Sequence, residues 1–185
     1  MLFRSAVSLT LDGGGTADLS TGIGFFDHML HLMARHGQLD LAVRADRGDL
    51  EVDGHHLVED VGIVLGQALR LAAGDKCGIR RYGAMLLPMD ETLTRVALDF
   101  SGRPYLVFKA DFKGPMVGAF DTQLTKEFFR AVAVHAGLTL HIETLTPGNT
   151  HHEIEGMFKA FGRALRQALE TDDRERGIPS SKGVL

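Results

Sequence analysis

Apolar residues along this chain follow two rhythms, one alternating with period two and one recurring near the helical period of 3.6. Val7, Leu9 and Leu11 alternate with Ser8, Thr10 and Asp12, which predicts a strand with one buried face. The triple glycine at 13–15 then reads as a tight loop. No Gly-Lys-Ser/Thr follows it, so it is not a P-loop. Phe26, Met29, Leu30 and Met33 share one face of a helix expected over roughly 26–35. Short strands are predicted over 38–45 and 49–53. Val58, Val61, Leu65, Ala68 and Leu69 carry helical spacing on to about Ala73, where Gly74 is the expected stop.

The second half repeats the order. Strand-like stretches cover about 94–100 and 104–112, separated by the turn Ser101-Gly102-Arg103-Pro104. A helix is expected over 122–136 and a strand over 138–145. Thr150 is the candidate N-cap of a last helix that turns Ile154, Met157, Phe158, Phe161, Leu165 and Leu169 inward. The repeated order predicts a duplicated fold of two similar halves, about 1–86 and 87–185. The tail from Gly177 to Gly183 reads as flexible by composition.

Composition narrows the class. With 44% hydrophobic and 24% charged residues, the 185-residue chain has the make-up of a water-soluble globular domain. A formal net charge of −4 gives no basic stripe for nucleic acid. The single cysteine, Cys77, excludes an internal disulfide and fits a reducing compartment. The first residues lack the apolar core of a signal peptide, and no run reaches the length of a membrane span. A cytoplasmic protein is the expectation.

The candidate chemistry lies in a repeated motif. His55-His56-Leu57-Val58-Glu59 and His151-His152-Glu153-Ile154-Glu155 place His-His-x-x-Glu at the front of a helical pattern twice, using four of the nine histidines. Residues four apart share a helix face, so His55 can act with Glu59, and His151 with Glu155. The middle histidines, His56 and His152, are turned by about 100° and serve a different cation. Two sites therefore suit the motifs better than one. Imidazole with carboxylate suits manganese, iron or zinc. Further ligands must come from His28, His36, Glu127 or His141; His28 and Glu127, which hold similar places in the two halves, are preferred. His31 and His135 read as plain helix-face residues. Asp90-Glu91 offers carboxylates that serve equally well to cap or brace a strand.

The stretches GIGFFDHML, GDLEVDGHHLVEDVGIVLGQAL, PMDETLTRVALDFSGRPYL, FDTQLTKEFF, NTHHEIEGMFKAFGRALRQAL and PSSKGVL together resemble the imidazoleglycerol-phosphate dehydratase family over nearly the whole chain. The resemblance implies an α+β fold with helices packed on one face of the sheets, and a hydro-lyase of histidine biosynthesis that converts imidazole glycerol phosphate to imidazole acetol phosphate. It implies two manganese ions (Mn2+) per active site at subunit interfaces, and trimers assembled into a 24-subunit shell. One ion would take His28, His56, His151 and Glu155; the other would take His55, Glu59, His152 and Glu127, a position that is His or Glu in the family. Glu59 and Glu155 are the carboxylates expected to move protons. His36, Arg81, Arg103, Lys159, Ser180, Ser181 and Lys182 are the expected contacts to substrate and its phosphate. Two departures stand out. Family members carry a substrate-contacting Glu about ten residues before the Leu-Asp-Gly block, where this sequence has Leu2. Gly54 stands where Asp is common before the first His-His pair. The missing Glu supports an alternative expectation, a metal-binding shell protein with weak or no catalysis.

Overall fold

The computed structural model describes residues 5–45 and 50–185. Three strands, β1 (Ser5–Thr10), β2 (Ala17–Ser20) and β3 (Asp40–Ala45), form a first sheet in the order β1-β3-β2. Here β1 runs antiparallel and β2 parallel to the central β3. Helix α1 (Gly24–Gly37) makes the crossover between the parallel strands, and α2 (His55–Ala72) follows β3. A second sheet has the order β4-β5-β9-β6, from β4 (Tyr82–Met89), β5 (Thr92–Asp99), β6 (Tyr105–Lys109) and β9 (Thr139–Thr146). Its β5-β9-β6 portion repeats the first sheet: one antiparallel neighbour, one parallel neighbour, and a crossover helix, α3 (Leu124–Ala136), with α4 (Thr150–Leu169) after the central strand. A two-stranded ribbon, β7 (Met116–Val117) with β8 (Phe120–Asp121), precedes α3.

Each sheet carries its helices on one face, and the two helix layers meet in the middle. The closest helix pairs join the halves: α2 packs on α3, and α1 on α4, while α4 also covers β4 and β5. Both pairs run in the same direction, because Gly62 faces Ala131 while Gly66 faces His135, and His28 neighbours Glu155 while Gly37 faces Gly162. The pairs approach so tightly that a Cβ on Gly162 would lie 2.4 Å from the Met33 carbonyl oxygen. Phenylalanines fill the space between the layers. Phe128 stacks on Phe158 with ring centroids 5.1 Å apart, Phe129 lies 4.8 Å from Phe158, and Phe26 meets Phe128 edge-on at 5.3 Å. All four rings are fully buried, and each such ring removes roughly 150–250 Å² from water.

The expected helices are present, with small shifts of boundary. The cap of α4 is Asn149, whose side-chain oxygen accepts the His151 N–H at 2.9 Å; Thr150, the expected cap, is the first helical residue. Of the strand expected over 49–53, Asp49 lies outside the described residues and 50–52 form a turn. Leu2 also lies outside them. Strands β2 and β4 and the β7–β8 ribbon lie where no strand was expected. The tail, expected to be loose, is held: Gly78 N–H donates to the Gly177 carbonyl at 2.8 Å, and Arg81 Nη1 donates to the Pro179 carbonyl at 2.7 Å. A charged guanidinium bonded to backbone outweighs the turn-like composition. No helix among the described residues is long and apolar enough to cross a membrane.

Replacing Gly162 with alanine should cost about 3 kcal/mol or more of stability, because backbone and not a mobile side chain blocks the new methyl group. Urea unfolding of Gly162→Ala against the parent chain checks this, and an unchanged midpoint would refute the close approach.

Candidate metal centre

The N-terminal turns of all four helices gather at one end of the molecule. Gly54, just ahead of α2, faces Ile23 before α1 and Leu124 at the start of α3, while the start of α1 touches that of α4 through Phe25 and His151, whose rings are 5.1 Å apart. Three of these helices are entered through the same local device. The side chains of Asp53, Asp121 and Asn149 each accept the backbone N–H two residues ahead, at His55, Gln123 and His151, all at 2.9 Å. At α1, Asp27 reaches back to the Thr21 N–H at 3.0 Å and hydroxyl at 2.7 Å. These turns fix the backbone on which the candidate ligands sit.

Two groups of candidate ligands close among the described residues, one of Asp90, Glu91 and His152 at the β4–β5 turn and one built from α1 and α4. Donor atoms of His28, His151 and Glu155 lie within 4.8 Å of one another. His151 Nε2 is 3.1 Å from Glu155 Oε2, and His28 Nε2 is 3.8 Å from the same oxygen. The i, i+4 pairing expected for His151 and Glu155 is therefore real, and His28 comes to it from α1. The Glu155 side chain is only 9% exposed, and its other oxygen lies 2.5 Å from Lys159 Nζ. Burial pushes this carboxyl up, but the hydrogen bond and charge of Lys159, followed by those of His151, prevail and hold it below the usual range. A carboxylate kept ionised between two imidazoles and an ammonium is a competent cation ligand, so this donor set fits a divalent ion.

The second expected set is assembled differently. Glu59 on α2 and Glu127 on α3 share one cation, Arg130, whose Nη2 lies 3.4 Å from Glu59 Oε1 and 2.6 Å from Glu127 Oε2. Glu127 Oε2 is buried, with the Arg130 guanidinium as its ion-pair partner. Two carboxylates with imidazole one helical turn away are a donor set that fits a divalent ion as well. His55 stands one turn before Glu59, and His56 packs edge-on to it at 6.1 Å between centroids. Among the described residues, His55, Glu59 and Glu127 do not close into a three-ligand group within 4.8 Å, and His56 does not join the His28 group. His152 instead meets the β4–β5 turn, with Nδ1 2.9 Å from Glu91 Oε2 and Nε2 3.9 Å from Asp90 Oδ2. Glu91 is held down to about 2 by the Asn149 N–H first and the His152 ring next. His141 is on the exposed face of β9, opposite the helices, whereas Glu127 sits beside Glu59.

The expected substrate contacts fall into two places. Lys159 and His36 lie near the His151 group. Burial, reinforced by Lys159, Arg163 and Arg35, lowers the pKa of His36 from its ordinary 6.5, so at neutral pH it is an uncharged hydrogen-bonding group. Arg81, Arg103, Ser180, Ser181 and Lys182 sit at the other end. Arg81 is paired with Asp99 at 2.7 Å and holds the tail, whereas the exposed Arg103 guanidinium donates to the Ser101 carbonyl at 3.3 Å. The chain terminus reaches the same loop, with the Leu185 carbonyl carbon 2.8 Å from where a Cβ on Gly102 would stand. Because the Arg81 N–H donates to Ala168 near the end of α4, Arg81 lies about 25 Å from His151 along that helix at 1.5 Å per residue. Sequence reasoning passed over Arg130; its signal is the acid-x-x-Arg spacing after Glu127, which puts both side chains on one helix face.

Comparison with known proteins agrees with this geometry. The family model described as imidazoleglycerol-phosphate dehydratase matches residues 21–165. The imidazoleglycerol-phosphate dehydratase of Acetivibrio thermocellus is 60% identical over 179 residues, covering 97% of this chain and 91% of that protein. That of Methylibium petroleiphilum is 60% identical over 180 residues, covering 97% and 90%. Among solved structures, imidazoleglycerol-phosphate dehydratase from Staphylococcus aureus superposes with a TM-score of 0.84 at 49% identity, covering 91% of this chain and 95% of that one. The Pyrococcus furiosus enzyme in complex with (S)-C348 gives 0.80 at 33% identity, covering 98% and 95%. Fold, motif placement and relatives together define a hydro-lyase of mixed α+β architecture. The chain belongs to the imidazoleglycerol-phosphate dehydratase family.

The neutral state of His36 is measurable. Because folding lowers its proton affinity, this histidine favours the folded chain above about 6.5 and loses that advantage as pH falls toward its folded value. Imidazole NMR titration, with the resonance identified by its loss in His36→Gln, should place the midpoint below 6.5. A midpoint at or above that value would refute the assigned environment.

Proposed function

We propose that this chain dehydrates imidazole glycerol phosphate to imidazole acetol phosphate in histidine biosynthesis, with two manganese ions per active site. The observation that carries the reading is the group of His28, His151 and Glu155, built from two helix starts at the family's own motif. His28, His56, His151 and Glu155 would hold one ion; His55, Glu59, His152 and Glu127 would hold the other. When bound, such ions supply Lewis acidity that makes the substrate's imidazole easier to deprotonate near neutral pH. Every other task falls to the chain's own groups. Loss of water requires a C–H proton to leave carbon and a hydroxyl to depart with a proton. Glu155 and Glu59 are the carboxylates placed to carry protons, and Lys159 keeps Glu155 ionised and ready to accept one. Neutral His36 offers a hydrogen bond without adding charge. Arg103, Lys182 and the Ser180–Ser181 hydroxyls bind phosphate, the guanidinium by two parallel hydrogen bonds. Arg81 serves the same region by fixing the tail that carries Ser180, Ser181 and Lys182.

The partner reading follows from distance. A substrate of this size is far shorter than the roughly 25 Å that separates Arg81 from His151 along α4. Phosphate contacts and metal ligands of one chain thus serve different active sites, which supports a homo-oligomer, here a 24-mer built from trimers. The repeated strand order supports reading the chain as two similar halves, about 1–86 and 87–185, with β4 crossing that boundary. The same reading takes the protein to work in the cytoplasm, as a soluble biosynthetic enzyme.

Manganese-loaded protein incubated with imidazole glycerol phosphate should release the ketone, and Glu155→Gln should lower kcat by about 100-fold or more. Absence of ketone from the parent protein, or full activity after chelation, would overturn the proposal. Arg103→Ala should raise KM about tenfold or more with little change in kcat, as expected for a lost charge-assisted hydrogen bond. Unchanged steady-state kinetics would remove Arg103 from the phosphate site.

A further inference from the structure

We propose that Glu91 is a positioning residue for the His152 imidazole, fixing its tautomer so that Nε2 is the nitrogen offered to a cation. The inference rests on reading His152 as a metal ligand. Glu91 belongs to the turn between β4 and β5, outside both His-His-x-x-Glu motifs. Its two carboxylate oxygens have separate partners. Oε2 lies 2.9 Å from His152 Nδ1, and Oε1 accepts the Asn149 N–H at 2.6 Å. Asn149 in turn caps α4 through the His151 N–H. One side chain therefore holds both the ring and the backbone turn that carries it.

The hydrogen-bond chemistry decides the tautomer. An ionised carboxylate only accepts, so Nδ1 must carry the hydrogen. The lone pair of the neutral ring is then on Nε2, which makes no hydrogen bond among the described residues; Asp90 Oδ2 stands 3.9 Å from it. A carboxylate behind a ligating imidazole also raises the basicity of the ring and sets its orientation. Space for this arrangement depends on residue 148. A Cβ on Gly148 would lie 2.4 Å from Glu91 Oε1 and 2.5 Å from its Cγ, so any side chain there displaces the carboxylate. A role confined to bracing the turn would affect stability without choosing which ring nitrogen bears hydrogen.

The test is nitrogen-15 NMR of the histidine rings in the chelated full-length protein, above the titration of His152, with manganese titration of the same samples. The parent chain should show His152 as the Nδ1–H tautomer. In Glu91→Gln the amide oxygen still accepts from Asn149, its NH2 faces the ring, and His152 should change to Nε2–H. Manganese affinity at one of the two sites should fall by about 10–100-fold. Gly148→Ala, which keeps the carboxylate but moves it, should weaken manganese in the same direction. An Nε2–H ring in the parent, or parent-like manganese binding in folded Glu91→Gln, overturns the proposal. A parent chain that binds no manganese overturns the metal reading and the proposal with it. The tautomer change then tells that failure apart from a wrong hydrogen bond.

Discussion

Close parallel packing of helices from opposite halves is the constraint on which the site depends. Because α1 lies against α4 and α2 against α3 with their starts level, the first turns of four helices reach one end of the molecule together. Glycine at 162 permits that approach, and the phenylalanine cluster between the layers holds it. A shift of one helix along its partner by a single turn would move His28 about 5.4 Å from Glu155 and open the ligand group. The core and the chemistry are therefore one problem of alignment, solved by backbone contact.

That alignment concentrates charge. Helix N-termini carry partial positive charge, which favours carboxylates and opposes a cation. The sequence answers with Glu59, Glu127 and Glu155 in or near first turns, and then balances each with a basic neighbour, Lys159 or Arg130. Arg81 and the tail it holds, proposed to serve the phosphate, lie at the far end of α4, apart from the carboxylates.

Much of this was legible in the residues. The helices announced themselves because their apolar faces keep the helical period, and the i, i+4 relation of His151 to Glu155 follows from that period alone. Strand β4 was hidden because Gly83 and Pro88 interrupt its pattern; as an edge strand it tolerates a residue without an N–H. Strand β2 and the β7–β8 ribbon are too short to show a rhythm. The partnership of His28 with Glu155 joins distant parts of the chain, so no local spacing reveals it; only the family resemblance anticipated it. The same holds for Glu91, whose reach to His152 depends on how β4–β5 meets α4. The tail misled because its composition says nothing of Arg81, which ties it down.

The placement of Arg130 has a consequence for how the chain matures. With a guanidinium tethered between Glu59 and Glu127, their mutual repulsion is already quenched by the polypeptide itself. Folding of the α2–α3 pair is thereby uncoupled from cation supply, in contrast to small domains whose binding energy is their folding energy. On the proposed two-metal reading, loading there exchanges one positive group for another, so an ion can be acquired late, after the scaffold is complete.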